Sequence, residues 1–224
     1  MGMHISSDSL VLFNFGPFSL NGTILFTWIV MALLVLGSRL VTRHLSTDTT
    51  LPVWQNVLES IVSGIQDELD NVLGKQPGGI LSFLGTLFLF IAVSNILSVI
   101  PGFNPPTGSL STTIALAVCV FLAVPAYGIS QIGLFNYIGN YFCPTFFMFP
   151  FNIMGELSRT LALAVRLFGN VMSSTMIGTI LLAIAPLFFP VLMQLFGLLT
   201  GLVQAYIFFI LAAVYISAGM EIQQ

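Results

Sequence analysis

The chain has 224 residues, of which 57% are hydrophobic and 6% are charged, and its formal net charge is −3. An ordinary soluble domain carries about a quarter charged residues, so this composition excludes one and predicts an integral membrane protein. The apolar runs reach the roughly 20 residues that a membrane-crossing helix needs and lack the alternation of a transmembrane barrel, which predicts an all-α fold. The sequence has no basic cluster of the kind that would indicate nucleic acid as a partner.

Residues 1–50 are expected to contain an outer N-terminus and a first crossing over residues 20–38. Arg39, Arg43 and His44 follow this crossing directly. Basic residues mark the cytoplasmic side, so the N-terminus is predicted to lie outside. The first residues lack the basic segment and cleavage site of a signal peptide, and neither a signal peptide nor a transit peptide is expected.

Residues 51–76 are predicted to form an amphipathic helix on the cytoplasmic surface of the membrane. Their apolar residues recur at helical spacing but are interrupted by four acids, Glu59, Asp67, Glu68 and Asp70. Four carboxylates are costly in hydrocarbon, so this helix is not expected to cross.

Residues 77–135 contain two more predicted crossings, over 80–100 and 110–133, joined by an outer turn rich in proline and glycine. Residues 144–224 contain two longer apolar runs that meet near residues 185–190. As one helix the first run would be about 60 Å long, twice the hydrocarbon thickness of about 30 Å. We therefore expect a steeply tilted helical hairpin, five crossings in all and a cytoplasmic C-terminus.

The first helix of this hairpin carries an intramembrane arginine, Arg166. An arginine at the centre of a membrane costs about 2.5 to 3.5 kcal/mol by insertion scales and normally faces protein or water, where it serves a function. At about 100° per residue, one edge of the helix collects the polar side chains. These are Asn152, Arg159, Arg166, Asn170 and Ser173, with Glu156 at the flank.

Because its pKa exceeds about 12, a guanidinium stays protonated and cannot carry protons. It can hold a nearby carboxylate in its ionised form, but this edge supplies no such acid, so the partner acid is expected on another subunit. The alternative is a structural ion pair between Arg166 and Glu156, although the two point to different sides of the helix. Arg159 lies near the cytoplasmic end and can reach the interface.

The last helix offers a complement to Arg166. Gly197 and Gly201 form a small-residue contact that lets another helix approach closely, and Gln204 shares their face. An antiparallel return would put Gln204 broadly level with Arg166, where it could orient the guanidinium. The alternative for Gln204 is an ordinary interhelical hydrogen bond.

These residues resemble subunit a of the rotary F-type ATP synthases. The resemblance rests on RLFGN at 166–170 and GLLTGLVQAYIFFILAAVYI at 197–216, with GTLFLFIAVSNIL at 85–97 and the pattern PT-x-x-x-x-TT-x-AL at 106–116. It implies a stator subunit beside a ring of c subunits and the b subunits of a peripheral stalk. The lack of a transit peptide and the loop charges favour a bacterial plasma membrane, with an organelle-encoded copy as the alternative. Two half-channels that do not meet would carry H⁺ or Na⁺, with no catalytic chemistry, cofactor or metal in this chain.

The resemblance also implies roles for individual residues. Arg166, Asn170 and Gln204 match positions of ion translocation, and Glu156 matches an acidic position of some relatives, in the cytoplasmic half-channel. A further set of polar residues is expected to line the half-channels. That set is Asn95, Ser98, Ser109, Ser111, Asn152, Arg159, Ser173 and Thr175.

The sequence departs from the family at four positions. Thr175 and Gly197 stand where many relatives have a carboxylate or histidine and its partner, and Ser98 and Ser109 stand where some relatives have acids. The polar relay is thereby reduced to hydroxyls, which favours water chains. Two other classes are alternatives, a self-contained channel or secondary transporter and a structural assembly subunit. The sequence lacks the internal repeats of transporters, and an assembly subunit would not need Arg166.

Overall fold

The computed structural model of the chain describes residues 11–15, 18–43, 53–73, 79–100, 102–133, 148–184 and 189–221. Two short strands, β1 (Val11–Phe15) and β2 (Phe18–Asn21), form an antiparallel hairpin. Six α-helices follow in the described ranges, and a 3-10 turn at Pro106–Gly108 precedes the fourth. They are α1 (Gly22–Thr42), α2 (Val53–Leu73), α3 (Gly79–Leu97), α4 (Leu110–Ile132), α5 (Met148–Ile184) and α6 (Phe189–Glu221).

Five of these helices, α1, α3, α4, α5 and α6, are long and apolar enough to cross a membrane. The predicted all-α membrane fold is therefore confirmed. The strand hairpin that leads into α1 was not predicted. Its strands are only five and four residues long, and so short a pattern is weak evidence beside the long apolar runs that follow.

The amphipathic helix predicted from residue 51 is present as α2, and its apolar side is divided between two environments. Leu69, in the second half, is buried, and Ile65 approaches Gly85 of α3. Val57 and Ile61, in the first half, are exposed. The second half of α2 is thus fixed to the helical bundle, while the first half presents apolar side chains outward.

Helices α5 and α6 form the long hairpin. They contain 37 and 33 residues, which correspond to about 55 and 50 Å at 1.5 Å per residue. Both exceed a hydrocarbon thickness of about 30 Å, so a membrane can contain them only if they are strongly tilted. The predicted turn between them lies largely outside the described residues, at 185–188.

Helix α6 is the centre of the bundle and packs against α3, α4 and α5. Its buried face consists mainly of small residues and phenylalanine, which let the neighbouring helices approach closely. Fully or almost fully buried on this face are Ala205, Phe208, Phe209, Ala212, Ala213 and Ile216. Helix α1 lies at the periphery, where Trp28 remains 67% exposed.

Helix α6 approaches α4 closely at Gly219, where a Cβ would lie 2.6 Å from Cγ1 of Val124. We expect Gly219→Ala to lower the thermal midpoint of the detergent-solubilised protein. The overlap costs about 1–3 kcal/mol and outweighs a gain in helix propensity of about 1 kcal/mol.

Gly155→Ala is the matched control, because a Cβ at Gly155 meets nothing within 4 Å. It should leave the midpoint unchanged or raise it. Equal midpoints for the two alanine variants would contradict close packing at Gly219.

Candidate functional site

Arg166 lies near the middle of α5, and its side chain is exposed. Within the described part of the chain the guanidinium has neither an ion pair nor a hydrogen bond, so the alternative of a structural pair with Glu156 is not what the structure has. Large apolar side chains, including Leu161 and Val165, are exposed beside it. A permanent positive charge therefore stands on an outer surface with many exposed apolar side chains.

Two contacts set the alignment of α5 with α6. Nδ2 of Asn170 donates a hydrogen bond to the main-chain oxygen of Thr200 at 3.1 Å, and the Ser174 side chain lies directly against Gly197. Because the helices are antiparallel, one turn from the Asn170 bond brings Arg166 on α5 level with Gln204 on α6. The predicted alignment agrees with this geometry.

Gln204 is 5% exposed, and its amide nitrogen Nε2 is buried without a partner among the described residues. A buried amide without a hydrogen bond is costly, by about 1–3 kcal/mol. The nitrogen is therefore available for a group other than the described residues, such as water. The alternative of an ordinary interhelical bond does not apply to this nitrogen.

Asn95 joins three elements of the fold. Its Nδ2 donates to the main-chain oxygen of Gly201 on α6 at 2.8 Å, and its Oδ1 accepts from the Thr107 hydroxyl of the 3-10 turn at 3.2 Å. The bond to α6 requires the glycine, since a Cβ at Gly201 would lie 2.9 Å from Cγ of Asn95. Asn95, Thr107 and Gly201 are all buried.

A cleft of about 270 Å³ opens between the end of α3, the loop before the 3-10 turn, and the facing ends of α5 and α6. Its polar lining consists of hydroxyls and amides. These belong to Asn95, Ser98, Asn104, Ser174, Thr175, Thr179 and Gln194. The sequence has no Asp, Glu or His from residue 71 to 155 or from 157 to 220. The segments that line the cleft therefore contain no side-chain carboxylate or imidazole.

Three of the sequence-predicted residues, Asn95, Ser98 and Thr175, line this cleft. Ser109 and Ser111 do not; their hydroxyls bond each other at 2.7 Å at the beginning of α4. Gly197 also lines the cleft, facing Ser174.

The other predicted residues are spread along the exposed edge of α5. Asn152, Arg159 and Ser173 are exposed, and Glu156 is half-buried. The Arg159 guanidinium lies over the ring of Tyr215, 5.7 Å from its centroid. This cation–π contact ties the beginning of α5 to the end of α6.

Along the axis of α5, Arg166 lies between two polar regions. Glu156 is ten residues before it and Thr175 nine residues after it, which along a helix correspond to about 15 and 14 Å. The half-buried acid and the polar cleft therefore lie on opposite sides of the arginine.

Sequence reasoning did not single out Thr107, Asn104, Ser174, Thr179 or Gln194 as site residues. Gln194 lines the cleft and donates through Nε2 to the main-chain oxygen of Val99 at 2.9 Å, beyond the last turn of α3. The sequence signal for such residues is polarity within an apolar run, and hydroxyls with a purely structural role show the same signal. Thr107 lies within the pattern PT-x-x-x-x-TT-x-AL, but only the structure gives it a partner.

Comparison with known proteins gives one consistent result. A family model described as ATP synthase A chain matches residues 24–217. A protein named ATP synthase subunit a 2, from Acaryochloris marina, is 57% identical over 99% of this chain and 95% of its own length. ATP synthase subunit a 1 from Chlorobaculum parvum is 57% identical over 99% and 98%, and ATP synthase subunit a from Nitrosospira multiformis is 56% identical over 97% and 86%.

The contact of Gly197 with Ser174 can be tested by rescue. A Cβ at Gly197 overlaps the Ser174 hydroxyl, while the Ser174 Cβ lies at an ordinary 3.5 Å. We expect Gly197→Ala to lower the thermal midpoint, because the overlap costs about 1 kcal/mol or more. Gly197→Ala combined with Ser174→Ala should restore most of the loss, because the clashing atom is then absent.

Ser174→Ala alone serves as the reference for the double variant. Additive effects of the two substitutions, without any rescue, would mean that the two residues do not touch.

Proposed function

The chain belongs to the family of ATP synthase A chains, and from this we propose that it is the stator subunit that couples ion flow to rotation of a ring of c subunits. In this proposal it provides two offset half-channels for H⁺ or Na⁺. An ion enters one half-channel, neutralises a carboxylate of the ring, travels with the ring, and leaves through the other. The chain itself performs no covalent chemistry.

The observation that carries the proposal is the exposed Arg166 without a counter-ion among the described residues. An anion stabilises a buried or lipid-facing cation, and a neighbour that presents ionised carboxylates in turn would supply it. The fixed charge would attract each ionised ring carboxylate and repel the mobile cations of both half-channels. Ions could then cross only by moving with the ring.

The offset of the two polar regions supports two separate half-channels. The cleft around Thr175 and Ser98 is assigned to the outer half-channel, and the half-buried Glu156 near the beginning of α5 to the cytoplasmic one. They are about 28 Å apart along α5, with Arg166 between them. This separation matches a path that is interrupted at the arginine.

The polar lining of the outer cleft indicates how an ion would cross it. Hydroxyls and amides do not ionise near neutral pH, so the lining can orient water but cannot act as a titrating relay. We propose that the ion moves here with its water. Such a lining suits H⁺ in a water chain and hydrated Na⁺ alike, which leaves the choice of ion to the ring carboxylate.

The family implies the other ATP synthase subunits as partners, and we assign two of them to surfaces. The exposed edge of α5 that carries Arg166 would face the c ring. The exposed side of α1, with Trp28, is available to lipid or the b subunits. The proposed setting is the bacterial plasma membrane, with the N-terminus outside and the C-terminus in the cytoplasm.

Arg166→Gln is the direct test in inverted membrane vesicles that contain the whole complex. It should reduce ATP-driven ion pumping and ion-driven ATP synthesis to background, because the neutral amide neither holds the ring carboxylate nor blocks leakage. Assembly of the complex, measured by blotting, should be unchanged, since Arg166 has no structural partner in the described part of the chain.

Arg39→Gln is the matched control, because Arg39 lies exposed at the end of α1 and has no proposed part in translocation. It should pump at the rate of the parent complex. Coupled pumping that survives in Arg166→Gln would refute the proposed function.

Labelling from each side tests the offset half-channels. Glu156→Cys and Thr175→Cys are made in a background where Cys119 and Cys143 are serine, and a small charged thiol reagent is added to one side at a time. The Glu156→Cys variant should react only from the cytoplasm and the Thr175→Cys variant only from outside. Leu163→Cys, at a position 1% exposed, should stay protected from both sides.

Reaction of both positions from the same side would contradict an interrupted path. Complete protection of position 156 would remove Glu156 from the cytoplasmic half-channel.

A further inference from the structure

Two asparagines from different helices donate hydrogen bonds to consecutive main-chain oxygens of α6. Asn170 of α5 donates to Thr200 O at 3.1 Å, and Asn95 of α3 donates to Gly201 O at 2.8 Å. A carbonyl oxygen has two lone pairs, so each can accept the amide while it keeps its bond within the helix. Both bonds are made to the middle of a long helix, where the backbone normally offers no free partner.

The position of these two bonds indicates where the Gln204 side chain points. Thr200 and Gly201 are about 100° apart around α6, and Gln204, one turn further on, points between them. The side chain of Gln204 therefore faces the groove between α3 and α5, in agreement with its 5% exposure. On α5, Arg166 lies about one helical turn before Asn170.

Apolar packing alone fixes such an alignment poorly, because alanine and leucine contacts in a membrane lack direction and lipid competes equally well for apolar surface. A slip of α6 by one residue would move Gln204 by about 1.5 Å and turn it by about 100°. Two directed bonds from two neighbours resist both the slip and the rotation. The glycine at 201 permits the short approach of Asn95.

We propose that Asn95 and Asn170 are positioning residues that act together as an amide clamp on α6 and keep Gln204 level with Arg166. This proposal rests on the proposed function for the importance of that alignment. In it, the carboxamide of Asn170 is used for alignment rather than as a ligand of the ion. Thr107 belongs to the clamp as its support, because its hydroxyl bonds Oδ1 of Asn95 and orients the amide.

A disulfide can report the alignment independently of ion transport. The Ser174 Cβ lies 3.5 Å from a Cβ built at Gly197, at the short end of the range of about 3.5–4.5 Å for disulfides. In the complex with Cys119 and Cys143 changed to serine, Ser174→Cys with Gly197→Cys should therefore oxidise rapidly. The rate of this oxidation measures how firmly α5 and α6 keep their alignment.

Asn170→Leu and Asn95→Leu are then introduced separately, both with the disulfide pair and without it. We expect the oxidation rate to fall by about three- to twentyfold, the range that corresponds to one interhelical hydrogen bond in a membrane. In vesicles without the cysteine pair, the number of ions pumped per ATP hydrolysed should also fall. It should fall further in the variant whose oxidation rate falls further. Asn71→Leu, at an exposed position of α2, is the matched control and should change neither quantity.

Thr107→Val and Thr107→Ser provide a milder pair should either leucine variant fail to assemble. Valine removes the hydroxyl that bonds Asn95 and should lower the oxidation rate and the coupling ratio. Serine keeps the hydroxyl and should restore both. A general packing defect would not separate the two variants in this way.

Unchanged oxidation and unchanged coupling in the assembled leucine variants would overturn the clamp, as would equal behaviour of Thr107→Val and Thr107→Ser. Arg166→Gln separates this from a failure of the proposed function. It should lose coupling while the disulfide forms at the parental rate. Retained coupling in Arg166→Gln would reject the proposed function, whereas lost coupling there with no effect in the clamp variants would reject the clamp alone.

Discussion

The organisation of this protein depends on one electrostatic constraint, a guanidinium at membrane depth whose charge cannot be removed by deprotonation. In hydrocarbon such a group is stabilised when its surroundings supply an anion. The described residues supply none to Arg166, so the constraint extends beyond the chain. The long helices, the close contacts of α6 and the polar cleft can all be understood as the frame that holds this charge at a protein surface.

Most of the fold follows from the sequence, because a helix that crosses a membrane needs about 20 mainly apolar residues and such runs are easily recognised. Each long apolar run became a helix, and the four acids of residues 59–70 distinguish the amphipathic α2 from the crossings. The strand hairpin before α1 could not be predicted in this way. Its two strands are too short for periodicity to separate them from an irregular N-terminus, and their pairing depends on a turn rather than on a long pattern.

The candidate site was predictable to a lesser degree, and the reason differs among its residues. Arg166 and Gln204 are conspicuous because a charge or an amide in an apolar helix is costly, and helical geometry alone brings them to one level. Asn95 was selected for its polarity, but its acceptor is a backbone oxygen more than a hundred positions away. Backbone acceptors carry no side-chain signature, so the connection between Asn95, Thr107 and Gly201 becomes visible only in three dimensions.

The neutral lining of the cleft has a consequence for the proposed coupling. A pathway whose hydroxyls and amides neither titrate nor carry charge imposes little preference among small cations. If the cleft is the outer half-channel that we propose, this subunit would serve rings of either cation specificity without compensating changes in its own lining. Adaptation to a sodium-rich or an acidic habitat would then fall to substitutions in the ring.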